Sequence, residues 1–175
     1  MPKRKDTFLF HRGERVGKGG LPITITKIRT MKRGAAEERG NLYPTTTSIT
    51  QKFEIKSQDP RVINKFARFL RRTHIDELPQ IISVLKGDLA LVGIRPLARE
   101  EYDALPKDIK GIYDKLGPGL IGIHYTLKKF PPTTQEVYDE YRKFYELWKK
   151  NKAKAYWKYS KAFFSNKLRG KVPSK

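Results

Sequence analysis

Residues 64–96 read NKFARFLRRTHIDELPQIISVLKGDLALVGIRP, and the apolar residues, proline and glycine in this stretch leave the backbone few options. Phe66, Phe69 and Leu70 recur at helical spacing among Lys65, Arg68, Arg71 and Arg72, and Asn64 stands at a capping position. The spacing predicts a short basic amphipathic helix. Leu78, Ile81 or Ile82, Leu85 and Leu89 then recur every three or four residues, which predicts a second helix ended by Gly87. Pro79 constrains it. A proline removes the amide hydrogen that would bond the Ile75 carbonyl and its ring crowds that turn, so the helix kinks there or begins at Pro79. LALVG follows as a short buried strand leading into Arg95 and Pro96.

Elsewhere the β-prone pieces TFLF and ITITKIRT flank the glycine-rich GERVGKGGLP, which predicts a β-hairpin between residues 8 and 31. Residues 33–60 are polar and mixed, a surface excursion with one expected strand at 52–56. From Thr133 onward Val137, Tyr141, Phe144 and Trp148 trace one apolar stripe, and Tyr156, Tyr159 and Phe163 trace another. These stripes fit either helices packed on a core or faces resting on a lipid surface. Periodicity by itself supports mixed α and β structure.

A length of 175 residues suits one core. Against 38 Lys+Arg stand 18 Asp+Glu, a formal net charge of +20, and after Glu146 there are ten Lys or Arg and no acid. Such a field gathers anions without choosing among nucleic acid, acidic lipid and phosphorylated small molecules. The absence of cysteine excludes thiol catalysis, disulfides and thiolate metal sites, and three scattered histidines argue against a His-based zinc centre. No apolar run reaches the roughly 18 residues that span a bilayer.

Within this basic chain Asp76 and Glu77 stand side by side behind Arg71 and Arg72. One reading is structural: Thr73 caps a helix and Asp76 meets its unpaired amides, a contact that commonly contributes ~1 kcal/mol. The other is chemical. A carboxylate held among cations at a helix start can stay ionised, attack phosphorus, or hold Mg2+ that carries a substrate's phosphates. Carboxylate and diphosphate repel, so cations must cancel the phosphate charge. Arg71, Arg72, Arg95, Lys27 and Arg29 are the candidates. Arg95 is singled out, since it follows a buried strand and precedes a rigid proline. His74 and His124 read as surface or packing residues.

The stretch RFLRRTHIDELPQIISVLKGDLALVGIRPL resembles the core signature of the bacterial sugar transferase family, small monotopic phosphoglycosyl transferases that begin glycan assembly on polyprenyl phosphate. ERVGKGGLPITITKIRTM and DPRV resemble the family's other blocks in the same order, so the likeness runs from about residue 8 to residue 123. It implies a compact, helix-rich α+β single domain with a small β-hairpin and amphipathic membrane-surface helices. It also implies a two-step reaction in which Asp76 takes the phosphosugar from a UDP-sugar, releases UMP, and passes the phosphosugar to polyprenyl phosphate. Glu77 would help bind Mg2+ or handle a proton, making Asp76 and Glu77 the metal-binding pair. Arg95 and Pro96 match the Arg-Pro motif at the phosphates, and Lys27 and Arg29 match the Lys-x-Arg-Thr-Met block. Gly13, Ile94 and Ile121 depart from the usual Gln, Pro and Thr.

On this reading residues 1–132 form the catalytic domain, in which the family's N-terminal membrane hairpin is expected to be absent, and residues 133–175 form a basic aromatic helical tail. The expected setting is cytoplasmic and peripheral, on the inner face of the cell membrane, with an anionic lipid surface as partner. Two other readings stand beside it. A polyanion-binding protein would suit the charge and interleaved aromatics, but no zinc finger, RNP-type block or helix-turn-helix argues for nucleic acid. A catalytically weak relative that docks at membranes or polyanions would keep the fold and lose the chemistry.

Overall fold

A computed structural model describes residues 9–35, 38, 59–127 and 132–169. The strand expected at 52–56, most of the polar excursion and the last residues of the tail lie outside the described residues.

The hairpin is built from β1 (Phe10–Val16) and β2 (Pro22–Ile28), antiparallel with Phe10 opposite Ile28 and Val16 opposite Pro22. β1 runs straight through HRGERV, whose last four residues the glycine-rich composition assigns to the turn. Pairing with TITKI supplies its backbone partners, so the turn shrinks to residues 17–21. Gly19 and Gly20 take φ of 66° and 76° there, a region glycine enters without steric cost. Beyond the hairpin, Met31 bridges Val62 and the Ile63 amide donates to the Thr30 carbonyl at 3.0 Å. Asp59 and Arg61 of DPRV are both buried here in a forked ion pair of 2.7 to 2.9 Å. Burial alone would raise the Asp59 pKa, but the hydrogen bonds from Arg61 outweigh it and hold the carboxyl below its usual range.

Helix α1 (Lys65–Thr73) begins where its sequence predicts, with Asn64 Oδ1 accepting the Ala67 amide at 2.8 Å. Thr73 does not cap a following helix. It is the last residue of α1, and its hydroxyl donates back to the Phe69 carbonyl at 2.9 Å. His74 then turns the chain in the left-handed region at φ 62°, the one non-glycine residue there among those described. Pro79 is accommodated by a 3-10 segment, Ile75–Gln80, so that α-helical winding resumes only in the short α2 (Ile81–Leu85).

Strand β3 (Ala90–Gly93) pairs in parallel with β4 (Gly119–Gly122), Ala90 opposite Gly119 and Gly93 opposite Gly122. Between them run α3 (Arg99–Asp103) and α4 (Lys107–Leu116). After a 3-10 turn, Ile123–Thr126, the chain ends in α5 (Thr134–Lys150) and α6 (Lys152–Leu168). Two small sheets among many helices make this a compact α+β fold. No helix among the described residues is long and apolar enough to cross a membrane.

Val92, Ile94, Ile109, Tyr113 and Ile123 form the centre of the core, and Tyr141, Phe144, Ala155, Tyr159 and Phe163 from the last two helices join the same cluster. Of the two readings left open for the C-terminal stripes, the structure has the packed one. Tyr113 fastens this core to the hairpin by donating to the Val16 carbonyl at 2.6 Å and accepting the Leu97 amide at 3.3 Å. Burial pushes its hydroxyl pKa up to about 12, and burial with a hydrogen bond to Asp114 does the same at Tyr102. Their folded values exceed the unfolded one near 10, so the folded state holds more protons above that pH. The stability they contribute is complete below about pH 10 and is lost as pH rises toward 12. Thermal melts between pH 9 and 11.5 are expected to show falling Tm. Tyr113→Phe, which leaves the buried Val16 carbonyl unpaired, is expected to cost about 1–3 kcal/mol in urea unfolding at pH 8.

Candidate active site

In a 3-10 turn, side chains three residues apart eclipse, so in Ile75–Gln80 Glu77 and Gln80 share one side while Ile75 and Leu78 share another. Asp76, Glu77 and Gln80 point inward, at 4%, 5% and 3% exposure, and Leu78 points out at 54%. Helical spacing alone would have buried the leucine. The inversion arises because this segment packs against β2, whose inner edge carries a cation.

That cation is Lys27. Its Nζ donates to Glu77 Oε1 at 2.6 Å, and the lysine side chain remains 36% exposed over a carboxylate that is 6% exposed. Two buried acids in sequence would be costly without such a partner. Arg95 leaves the end of β3 and forms an ion pair with Glu101 Oε1 at 2.8 Å, while Glu101 Oε2 accepts the Ala98 amide at 3.3 Å at the start of α3. Pro96 carries the chain on to Leu97, whose carbonyl accepts the Val16 amide at 2.9 Å.

Tyr125, in the 3-10 turn after β4, joins these groups. Burial pushes its hydroxyl pKa well above the usual phenol value, and the Glu77 and Asp76 carboxylates push the same way while Arg95 and Lys27 oppose them. The four sequence-predicted residues therefore act on one buried phenol, which stays protonated and able to donate. No feature of the sequence singled out Tyr125.

The remaining candidates have these partners. Arg29 sits where β2 leaves the hairpin, its amide bonding the Leu9 carbonyl at 2.8 Å and its Nη2 3.5 Å from the Phe10 carbonyl. Arg71 reaches Thr30 Oγ1 at 3.3 Å and acts electrostatically on Asp59. Arg72 is exposed and lines a shallow groove with Lys65, Arg68 and Phe69, on the outer face of α1. Ile94, bridged to Pro118 just beyond β3, and Ile121, on β4, are two of the departures from the family pattern and are buried core residues.

His74 contacts Tyr125 edge-on at 5.9 Å between ring centroids, so it packs beside the acids. Among the described residues no group of three His, Cys, Asp or Glu side chains converges. Two adjacent carboxylates nonetheless suit Mg2+, which keeps several waters and is commonly held by one or two carboxylates together with substrate phosphates.

The family model described as bacterial sugar transferase matches residues 3–153. Among curated proteins the chain is 39% identical over 112 residues to one from Bacillus subtilis whose provisional name is undecaprenyl-phosphate N-acetylgalactosaminyl 1-phosphate transferase, covering 64% of this chain and 55% of that protein. It is 38% identical over 113 residues to the UDP-glucose:undecaprenyl-phosphate glucose-1-phosphate transferase of Escherichia coli, covering 63% and 22%. It is 37% identical over 114 residues to the undecaprenyl-phosphate galactose phosphotransferase of Salmonella typhimurium, covering 63% and 23%. The chain thus spans about half, or less, of the length of these relatives.

Proposed function

The chain belongs to the bacterial sugar transferase family, and from that premise we propose that it moves a sugar 1-phosphate from a UDP-sugar to polyprenyl phosphate, with Asp76 as the covalent relay. The names of its relatives supply the donor and acceptor classes. The observation that carries the assignment to these residues is the buried Asp76–Glu77 pair with Lys27 bonded to Glu77 at 2.6 Å, within electrostatic reach of the buried Tyr125 and Arg95.

In the first step an Asp76 carboxylate oxygen bonds to the sugar-bearing phosphorus. The bond from that phosphorus to the bridging oxygen breaks, and the electron pair leaves with UMP. In the second, a phosphate oxygen of the polyprenyl acceptor attacks the same phosphorus and returns Asp76 as carboxylate. Neither step needs a net proton. The obstacle is charge, since an anion must approach a diphosphate dianion. Lys27 lowers it by exchanging partners, leaving Glu77 for the incoming phosphates, and its partial exposure gives it room to swing. Arg95 supplies a second positive charge, held in direction by Glu101. Tyr125 can donate to a phosphate oxygen. Mg2+ held by Asp76 and Glu77 would neutralise phosphate charge in the same place.

A lipid acceptor brings the site to a bilayer. Several exposed large apolar side chains lie on the elements around the acids, Phe66 and Phe69 on α1, Leu78 beside Glu77, and Ile82 and Leu85 on α2, while others lie on the hairpin and on α6. Lys65, Arg68 and Arg72 accompany them on α1. This surface is the one proposed to meet anionic lipid beside the site; the tail's Tyr159 and Phe163 are buried in the core, while its Trp157, Phe164 and Leu168 are exposed. Replacing Lys65, Arg68 and Arg72 by Gln is expected to weaken partition onto phosphatidylglycerol vesicles roughly a hundred-fold, at about 1 kcal/mol per cation. Vesicle sedimentation unchanged in that variant removes this surface from the account.

The function itself is tested with a panel of UDP-sugars, Mg2+ and polyprenyl phosphate in vesicles, following UMP. The near-complete cover over Asp76 favours one rival, a docking relative without turnover. Vesicle binding with no UMP from any donor establishes that rival instead.

A further inference from the structure

The family match ends at residue 153, whereas α6 occupies Lys152–Leu168, and the last turns of this helix touch both segments that carry the candidate site. Lys167 Nζ donates to the Thr73 carbonyl at 2.6 Å. That carbonyl belongs to the final turn of α1, where no helical amide follows to bond it and the negative end of the helix favours a cation. One residue later comes the left-handed His74, and two residues after that Asp76. The Asn166 side-chain amide, itself buried, donates to the Tyr125 carbonyl at 3.1 Å and to the Leu127 carbonyl at 3.2 Å. Phe163 lies edge-on to His74 at 6.1 Å and tilted against Tyr125 at 5.9 Å.

A left-handed residue other than glycine costs roughly 1–3 kcal/mol and persists only where its surroundings over-determine it. At His74 the surroundings include Lys167 on the preceding carbonyl and Phe163 and Tyr125 on the ring. His74 sets the direction in which the 3-10 segment leaves α1, and with it the inward turn of Asp76 and Glu77. Asn166, on the same face of α6, fixes the height of Tyr125.

We propose that Phe163, Asn166 and Lys167 are positioning residues of the site, a clamp through which α6 holds the acidic segment and the Tyr125 turn in register. This rests on the function proposed above. The clamp lies wholly on side chains beyond the family match, and it gives α6 a role that its packing into the core does not require.

The test compares four variants of the full chain with wild type in UMP release at saturating donor and across a donor titration. Lys167→Met keeps the stem and removes the donor, and kcat is expected to fall roughly ten- to a hundred-fold, as for a misplacement near 1 Å, with donor KM within about two-fold. Asn166→Asp is expected to behave alike, and Lys167→Arg to regain most of kcat. Tyr159→Phe, which removes the hydrogen bond from the same helix to Glu140, is expected to lower Tm and leave kcat unchanged.

Amide hydrogen exchange of residues 75–78 provides a readout independent of turnover, faster in Lys167→Met and restored in Lys167→Arg. Lys167→Met with unaltered kcat and unaltered exchange, or losses matched by Tyr159→Phe, overturns the clamp. A wild-type protein that releases no UMP yet shows the exchange pattern refutes the proposed function and leaves the clamp standing.

Discussion

Asp76→Asn is expected to abolish UMP release, by a factor on the order of 10³ or more, as when other covalent nucleophiles are removed, while the protein folds as before. The substitution is nearly isosteric. It exchanges a carboxylate that is 4% exposed for a neutral amide, and burying a charge is the costly state, so Tm should hold or rise. Activity and stability then separate, which a general structural defect cannot produce. Mass spectrometry sharpens the test: wild type incubated with UDP-sugar and no acceptor should gain the mass of a phosphosugar on the peptide carrying Asp76, and the variant should gain none. Turnover persisting in Asp76→Asn, or an adduct on another residue, overturns the assignment. Glu77→Gln should fall short of that loss, because it releases Lys27 from its 2.6 Å pair without removing the nucleophile.

Gly119→Ala is expected to leave the protein largely unfolded. A Cβ at Gly119 would overlap the Gly93 amide nitrogen and lie 2.6 Å from the Gly93 Cα and 2.7 Å from the Val92 carbonyl carbon. These are backbone atoms of the paired strand, which cannot rotate aside as a side chain would. β3 and β4 must separate, and Val92, Ile94 and Ile121 leave the core with them. The cost exceeds the roughly 1–3 kcal/mol of ordinary overpacking, a large share of the 5–15 kcal/mol that holds a domain folded. Gly111→Ala is the control. On α4 a Cβ at Gly111 meets nothing within 4 Å, so alanine should stabilise by about 0.5–1 kcal/mol through helix propensity. Urea unfolding of the pair reads both effects. A soluble, cooperatively unfolding Gly119→Ala would refute the close strand approach.

Much of the site was legible in the residues before any coordinates. The acid pair, the lysine of the hairpin and the arginine after the buried strand are all named from order and chemical type; the structure pairs Lys27 with Glu77 at 2.6 Å beside the buried Asp76, and Arg95 with Glu101 at 2.8 Å. Arg29, Arg71 and Arg72 were named by the same reasoning and are seated at the hairpin exit, near Asp59 and on the outer face of α1. A cation's type says that it can meet a phosphate. The fold decides which partners within the protein it also meets. Tyr125 and Lys167 carried no signal, since a tyrosine after a turn and a lysine in a Lys-rich tail are commonplace until the fold brings each against a partner distant in sequence.

Local spacing determined by itself that a basic helix starts at the Asn64 cap, that Pro79 interrupts the next one, and that two apolar stripes at helical spacing follow Thr133, because capping and periodicity depend on neighbours within four residues. Which side of each element faces inward was decided only by tertiary packing. Phe66, Phe69 and Leu85 follow the apolar pattern of a core stripe and are exposed, whereas Asp76 and Glu77 follow the polar pattern of a surface and are buried. A period identifies the side chains that share a face. The partner at that face, here β2 with Lys27 and α6 with Lys167, decides whether it turns toward protein or away from it.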